Sequence, residues 1–184
     1  MVEKFDIKIE NIVASSSLGI KLPLRELAKH LEGTEYEPEQ FPGLVYRLTD
    51  PKAATLIFSS GKIVCTGARS VKDVKKVIKK IVSVIRAANM GNPKNYNTQV
   101  ENIVASAKLE SRVSLDKIAF QLEDAEYEPE QFPGLVLRMK NPKVTFLVFS
   151  SGKIICTGAR KIEDVEYAVA KISKRLKDLR HRKD

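Results

Sequence analysis

One pattern of 59 residues occurs twice in this chain. Residues 11–69 align with residues 102–160 at a constant offset of 91, without a gap, and 36 of the 59 positions are identical. Glu35 to Val45 matches Glu126 to Val136 letter for letter, and Phe58 to Arg69 matches Phe149 to Arg160 with one exchange. Periods of roughly 20–50 residues build solenoids. A period of 91 used twice instead implies two half-domains about a pseudo-two-fold axis. Duplex DNA is the commonest partner with such near-symmetry.

The 184 residues allow one large or two small domains, and 43% apolar residues suffice for a real core. No run of about 18 uncharged apolar residues offers a membrane span. The opening Met1-Val-Glu-Lys-Phe-Asp has no signal-peptide pattern, and two cysteines make no disulfide framework in a chain this long. These features point to an intracellular protein of the cytoplasm or nucleoid. A net charge of +9 and a pI near 9.5 favour a polyanionic partner.

Residues 6–15 alternate as a strand. Leu24, Leu27, Ala28 and Leu31 then fall at helical spacing, with Pro23 at the first helical position. The copy repeats this stripe as Leu115, Ile118, Ala119 and Leu122, with Ser114 as a cap. Past a Glu/Pro-rich loop, residues 44–48 and 55–58 read as strands about a turn at Asp50-Pro51. Ser60-Gly61 reads as a hairpin turn into a strand over 62–66. A helix over about 70–89 closes the repeat, burying Val74, Ile78, Ile81, Val82 and Ile85. Gly91-Asn92-Pro93 is the clear linker, so the repeats divide as 1–91 and 92–184. Each reads β-α-β-β-β-β-α, counting a short strand near Glu35-Tyr36. Hairpin-joined strands are antiparallel, and amphipathic helices must hide their stripes. The expected class is therefore α+β, one sheet with all four helices on a single face.

A sheet with one wet face should alternate apolar and polar residues. Here Leu56-Ile57-Phe58 and Ile63-Val64-Cys65 are apolar on both faces, as are their copies. Counting by twos assigns Ile12, Ala14, Ile57, Ile63 and Cys65 to the helices. Asn11, Val13, Ser15, Leu56, Phe58, Val64 and Thr66 are then left open, an apolar face fit for binding. A sandwich or a tight dimer burying this face is the structural alternative.

The duplicated Asn-Ile-Val-Ala-Ser of 11–15, Glu-Pro-Glu-Gln-Phe-Pro-Gly-Leu of 37–44 and Phe-Ser-Ser-Gly-Lys-Ile-Val-Cys-Thr-Gly-Ala-Arg of 58–69 resemble the TATA-box binding protein family. The match runs in order over nearly the whole chain. Without a long N-terminal extension, and with Phe-Pro-Gly in both repeats, the chain is similar to the archaeal branch. The resemblance implies a duplicated saddle: a curved ten-stranded antiparallel sheet, DNA on its concave face and four helices on the convex one. Minor-groove binding and kinking are known properties of the family, carried here by resemblance rather than read from residues.

Matched residue by residue, Phe41, Phe58, Phe132 and Phe149 correspond to the family's intercalating wedges. Phe120 and Phe146, unmatched, are expected in the core. Asn11, Val13, Leu56, Val64 and Thr66, with Asn102, Val104, Leu147, Ile155 and Thr157, correspond to base contacts. Amide and hydroxyl groups can donate to the acceptors of A·T pairs, whereas the aliphatic side chains cannot accept from a guanine amino group. Leaving that donor buried and unpaired costs roughly 1–3 kcal/mol, which favours A·T sequence. Arg47, Lys62, Arg69, Arg138, Lys153 and Arg160 correspond to a phosphate-binding rim. Six such pairings would steepen a log–log salt dependence by roughly five units.

The helical backs differ: the closing helix of the first repeat carries Lys72, Lys75, Lys76, Lys79, Lys80 and Arg86 against only Asp73, whereas its counterpart opens with Glu163, Asp164 and Glu166. DNA would read the symmetric front and partner proteins the asymmetric back. The family resemblance places transcription factor B on the acidic loop at Glu128, Glu130 and Gln131, although Glu37-Pro-Glu39-Gln40 repeats that loop. RNA polymerase is the further implied partner, with a monomer on DNA and a dimer in free solution left open.

His30 and His181 have no carboxylate or cysteine spacing for metal or general-base work, and no phosphate-cradling glycine loop is present. The family's strand order would set Cys65 and Cys156 about three strands or 14 Å apart, beyond disulfide reach. The expectation is a non-enzymatic transcription initiation factor needing no cofactor. The rivals are an architectural or repair-related DNA binder on the same fold, and a protein-interaction module using the open sheet.

Overall fold

The computed structural model describes residues 5–181, with the side chains of 180 and 181 outside the description. In chain order the elements are β1 (Lys8–Ser17), α1 (Leu24–His30), β2 (Thr34–Glu35), β3 (Leu44–Thr49), β4 (Lys52–Ile57), β5 (Lys62–Ala68) and α2 (Val71–Ala87). The second series is β6 (Thr98–Lys108), α3 (Leu115–Gln121), β7 (Ala125–Glu126), β8 (Leu135–Met139), β9 (Val144–Val148), β10 (Lys153–Ala159) and α4 (Ile162–His181). Among the described residues the duplicated β-α-β-β-β-β-α order, ten strands and four helices, is the one the sequence implies.

Among the described residues two compact units form, one of residues 11–101 and one joining residues 102–181 to residues 5–10. In the first, Ser15 Oγ donates to the Glu101 carboxylate at 2.6 Å. In the second, Ser106 Oγ donates to Glu10 at 2.7 Å. The compact units meet along the chain at Asn11 and Asn102, the first residues of the repeated pattern.

In the first unit the strands run β2-β3-β4-β5-β1, each pairing antiparallel. Ile12, Ala14, Ile57, Ile63 and Cys65, the expected inward set, are completely buried. Over them α2 buries Val74, Val77, Ile78, Ile81, Val82 and Ile85. Each such aliphatic side chain contributes about 1.5–3 kcal/mol. Ser70 opens α2 by accepting from the Asp73 N–H at 3.0 Å, a side-chain cap. Ser114 also stands at the cap position of α3, yet its side chain makes no capping bond.

The second unit repeats the arrangement as β6-β10-β9-β8-β7. One core exchange shows how the copies diverge. Tyr46 pairs across the strands with Thr55, and their counterparts are Leu137 and Phe146. A large ring thus moves from one strand to its neighbour while all four side chains stay buried. Thr55 satisfies its hydroxyl on the Tyr46 carbonyl at 3.2 Å. Phe146 is fully buried as expected, but Phe120 is not: it is 92% exposed. On seven-residue α3 only Leu115 and Ile118 face inward, and Phe120 falls on the outer side.

Candidate nucleic-acid interface

The residues that alternate with the core lie half-exposed on the sheet face the helices leave open. In the first unit these are Asn11, Val13, Leu56, Phe58, Val64 and Thr66, and in the second Asn102, Val104, Leu147, Phe149, Ile155 and Thr157. Leu56 pairs directly with Val64, and Leu147 with Ile155, so aliphatic groups stand side by side across neighbouring strands. Each unit thus offers a broad apolar strip, and the intermediate exposure shows that its own segments do not bury it.

At one end of each strip the sheet is deliberately irregular. The β1–β5 register slips between Ile12 and Ala14, leaving an extra residue in β5. Gly67 sits in this bulge at φ +92°, where glycine alone avoids strain. Its N–H donates to Asn11 Oδ1 at 2.6 Å, while Asn11 Nδ2 donates to Thr66 Oγ1 at 3.2 Å. The backbone donor fixes which end of the amide is the acceptor, and the second Nδ2 hydrogen remains for an outside partner. The second unit builds the same device: Gly158 at φ +104° donates to Asn102 Oδ1 at 2.7 Å, and Asn102 Nδ2 to Thr157 Oγ1 at 3.1 Å. The sequence pairs these residues by type; the bulge glycines that hold them were missed.

At the Pro/Glu loop of each unit stand the aromatic pairs. Phe41 and Phe58 meet edge to face with ring centres 5.9 Å apart, and Phe132 and Phe149 with centres 6.0 Å apart. Phe41 and Phe132 are each 39% exposed, unlike the buried Phe146. The Glu37 carbonyl accepts from both Gln40 and Phe41, and Glu128 from Gln131 and Phe132, so a tight turn sets each outer ring. Gly43 makes room for the pair: a Cβ there would lie 2.6 Å from the Phe41 ring and 3.1 Å from Phe58. At Gly134 the corresponding distances are 2.7 and 3.0 Å. This role of the glycine in Phe-Pro-Gly emerges only once the rings are placed.

Arg47, Lys62, Arg69, Arg138, Lys153 and Arg160 are all exposed. Two have carboxylate partners that sequence reasoning did not anticipate: Arg47 pairs with Glu35 at 2.8 Å and Arg138 with Glu126 at 2.5 Å. Glu128, Glu130 and Gln131 are exposed, and the two acidic loops make the same turn. The exposed loop alone does not distinguish the repeats.

Burial pushes the Cys65 and Cys156 thiols up to about 11, so both stay protonated and unreactive near neutral pH. Both are free. His30 is exposed on α1, and the His181 side chain lies outside the described residues. Among the described residues no group of three metal-binding side chains comes together, and no helix is long and apolar enough to cross a membrane.

Comparison with known proteins identifies the family and the fold. The family model described as "Transcription factor TFIID (or TATA-binding protein, TBP)" matches residues 6–88 and again 97–179. The TATA-box-binding protein of Methanobrevibacter smithii is 53% identical over 95% of this chain and 96% of its own length. That of Thermoplasma volcanium is 53% identical over 96% of this chain and 97% of its own. The solved structure of Methanococcus jannaschii TBP superposes with a TM-score of 0.89 at 48% identity, covering 94% of this chain and 98% of that one. The chain belongs to the TATA-box-binding protein family of DNA-binding general transcription factors.

Proposed function

We propose that this protein initiates transcription by binding TATA-like promoter DNA in the minor groove, kinking it with Phe41, Phe58, Phe132 and Phe149, and recruiting transcription factor B and RNA polymerase. The observation that carries this reading is the recurrence, in both units, of one constellation: an uncovered aliphatic strip, a fixed Asn–Thr donor pair and a partly exposed phenylalanine pair. A flat apolar ring can enter an opened base step and replace part of the stacking lost there.

Val13, Leu56, Val64, Val104, Leu147 and Ile155 offer no acceptor to a guanine amino group, while Asn11, Thr66, Asn102 and Thr157 can donate to adenine N3 and thymine O2. Selection for A·T pairs follows from what the face lacks as much as from what it carries. The easily kinked TA steps strengthen the same preference. Arg47, Lys62, Arg69, Arg138, Lys153 and Arg160 supply the phosphate contacts, and the acidic loop at Glu128, Glu130 and Gln131 receives the second factor. Since the front is repeated and the back is not, that factor sets direction on the promoter. The protein works as a monomer on DNA inside the cell.

A gel shift tests the reading. A duplex carrying TATA should be retarded at concentrations at which a G·C-rich duplex of equal length runs free, and transcription factor B should retard it further. Equal retardation of both duplexes would contradict the sequence preference. Preference without a further shift would leave a DNA-bending protein outside initiation.

A further inference from the structure

We infer that the outer face of α2 is a second duplex-binding surface, one that grips a separate segment of double-stranded DNA by its phosphates without regard to sequence. Lys72, Lys75, Lys76, Lys79 and Lys80 are all exposed on one side of α2, opposite its buried stripe. From Lys72 to Lys80 they span about 12 Å of helix, a compact row of five positive charges.

The duplication supplies an internal control. The corresponding residues of α4 are Glu163, Glu166, Tyr167, Ala170 and Lys171, and α4 nevertheless packs Val165, Ala168, Val169, Ile172 and Leu176 into its own core. The fold therefore does not require lysines here. They are also unfavourable locally, since like charges three and four residues apart destabilise a helix and cations near its N-terminus oppose the dipole. One long ion pair, Lys76 to Asp73 at 3.8 Å, relieves this repulsion only slightly.

The chemistry of the row favours nucleic acid over protein. Protein interfaces centre on aromatic, arginine and apolar anchors and are poor in lysine. The large exposed apolar side chains among the described residues are Phe41, Phe120, Phe132, Ile162 and Tyr167, none of them on α2. Flexible ammonium groups with no apolar centre suit phosphates, which carry no sequence information. The open sheet face lies on the other side of the same unit, so α2 remains available while the sheet holds a duplex.

The test uses the whole protein, first saturated with an unlabelled TATA duplex. Fluorescence anisotropy then follows a labelled G·C-rich duplex across a salt series. The protein should bind this second duplex. Joint Lys72→Gln, Lys75→Gln, Lys76→Gln, Lys79→Gln and Lys80→Gln substitution should weaken that binding at least tenfold and flatten the log–log salt slope by up to about 4.5 units. Joint substitution of the same lysines by Arg should retain it, and TATA affinity should change by less than about twofold throughout. No second-duplex binding, or equal binding by the Gln variant, would overturn the inference. Should the TATA duplex itself fail to bind, the front-face reading fails separately, and comparison of the Gln and Arg variants on the G·C-rich duplex still decides this one.

Discussion

Asn11 and Thr66, 55 residues apart in sequence, are held by an amide-to-hydroxyl hydrogen bond of 3.2 Å, with Gly67 locking the amide from behind. Asn102 and Thr157 reproduce the relationship at 3.1 Å. Asn11→Ala should remove both the lock and the outward donor. It should weaken TATA binding by about 1–3 kcal/mol, roughly 5- to 150-fold, while leaving the sheet folded. Titration of a TATA duplex by the single variants and by the double variant with Asn102→Ala checks this, and unchanged affinity in the double variant would remove the pair from the interface.

Ser16 is 3% exposed, and its hydroxyl has no hydrogen-bond partner. Its counterpart in the second repeat is Ala107. Ser16→Ala should therefore stabilise the protein, by about 1 kcal/mol, or roughly 2–4 °C in Tm. Thermal unfolding followed by circular dichroism measures it, and a lower Tm would show that the hydroxyl contributes to stability.

Asp124 joins the turn before β7 to α4 by receiving two hydrogen bonds from Arg175, at 2.7 and 2.8 Å. These bonds, with the Arg175 charge, hold the carboxyl below its ordinary value of 3.8 against the opposing effect of burial. A lowered folded-state pKa means stability that is fully present above about pH 4 and lost as pH falls further, through the folded value. The pair is more than one-third exposed, so its worth is at most about 1 kcal/mol after solvent screening. Asp124→Asn should thus lower stability by a constant amount at neutral pH, and the difference should vanish in acid. Urea titrations at pH 7 and at low pH decide the matter; a difference that grows in acid would contradict the assignment.

Lys62 and Lys153 follow the hairpin turns bordering the apolar strips. Replacing both by Glu should flatten the log–log salt dependence of TATA binding by at least about 1.8 units, at 0.9 per lost phosphate contact. An unchanged slope would place both lysines outside the DNA rim.

Much of this was legible in the residues because strands have period two. Ile12, Ile57, Ile63 and Cys65 fall inside, and Val13, Leu56, Val64 and Thr66 fall outside, as simple counting requires. The α2 stripe was equally plain, since 17 residues give the 3.6-residue period room to show. Phe120 escaped because α3 spans only two turns, too short for one aromatic to declare its side. The Arg47–Glu35 pair bridges two strands separated by the Glu/Pro loop, and no local pattern fixes their register. The bulges at Gly67 and Gly158 break the alternation that made the strands readable. The roles of Gly43 and Gly134 depend on ring positions that only the folded chain supplies. The grouping of residues 5–10 with the second unit likewise follows from contacts such as Ser106 to Glu10, which no repeat alignment contains.

In the proposed function, partly exposed phenylalanines force open base steps on A·T-rich DNA. Energy transfer between dyes on the two ends of a short TATA duplex measures it most directly. Addition of the protein should shorten the end-to-end distance, and joint Phe41→Ala and Phe132→Ala substitution should abolish most of that shortening while thermal stability barely changes. A duplex that stays straight with the intact protein, or bends equally well with the substituted one, would contradict the account.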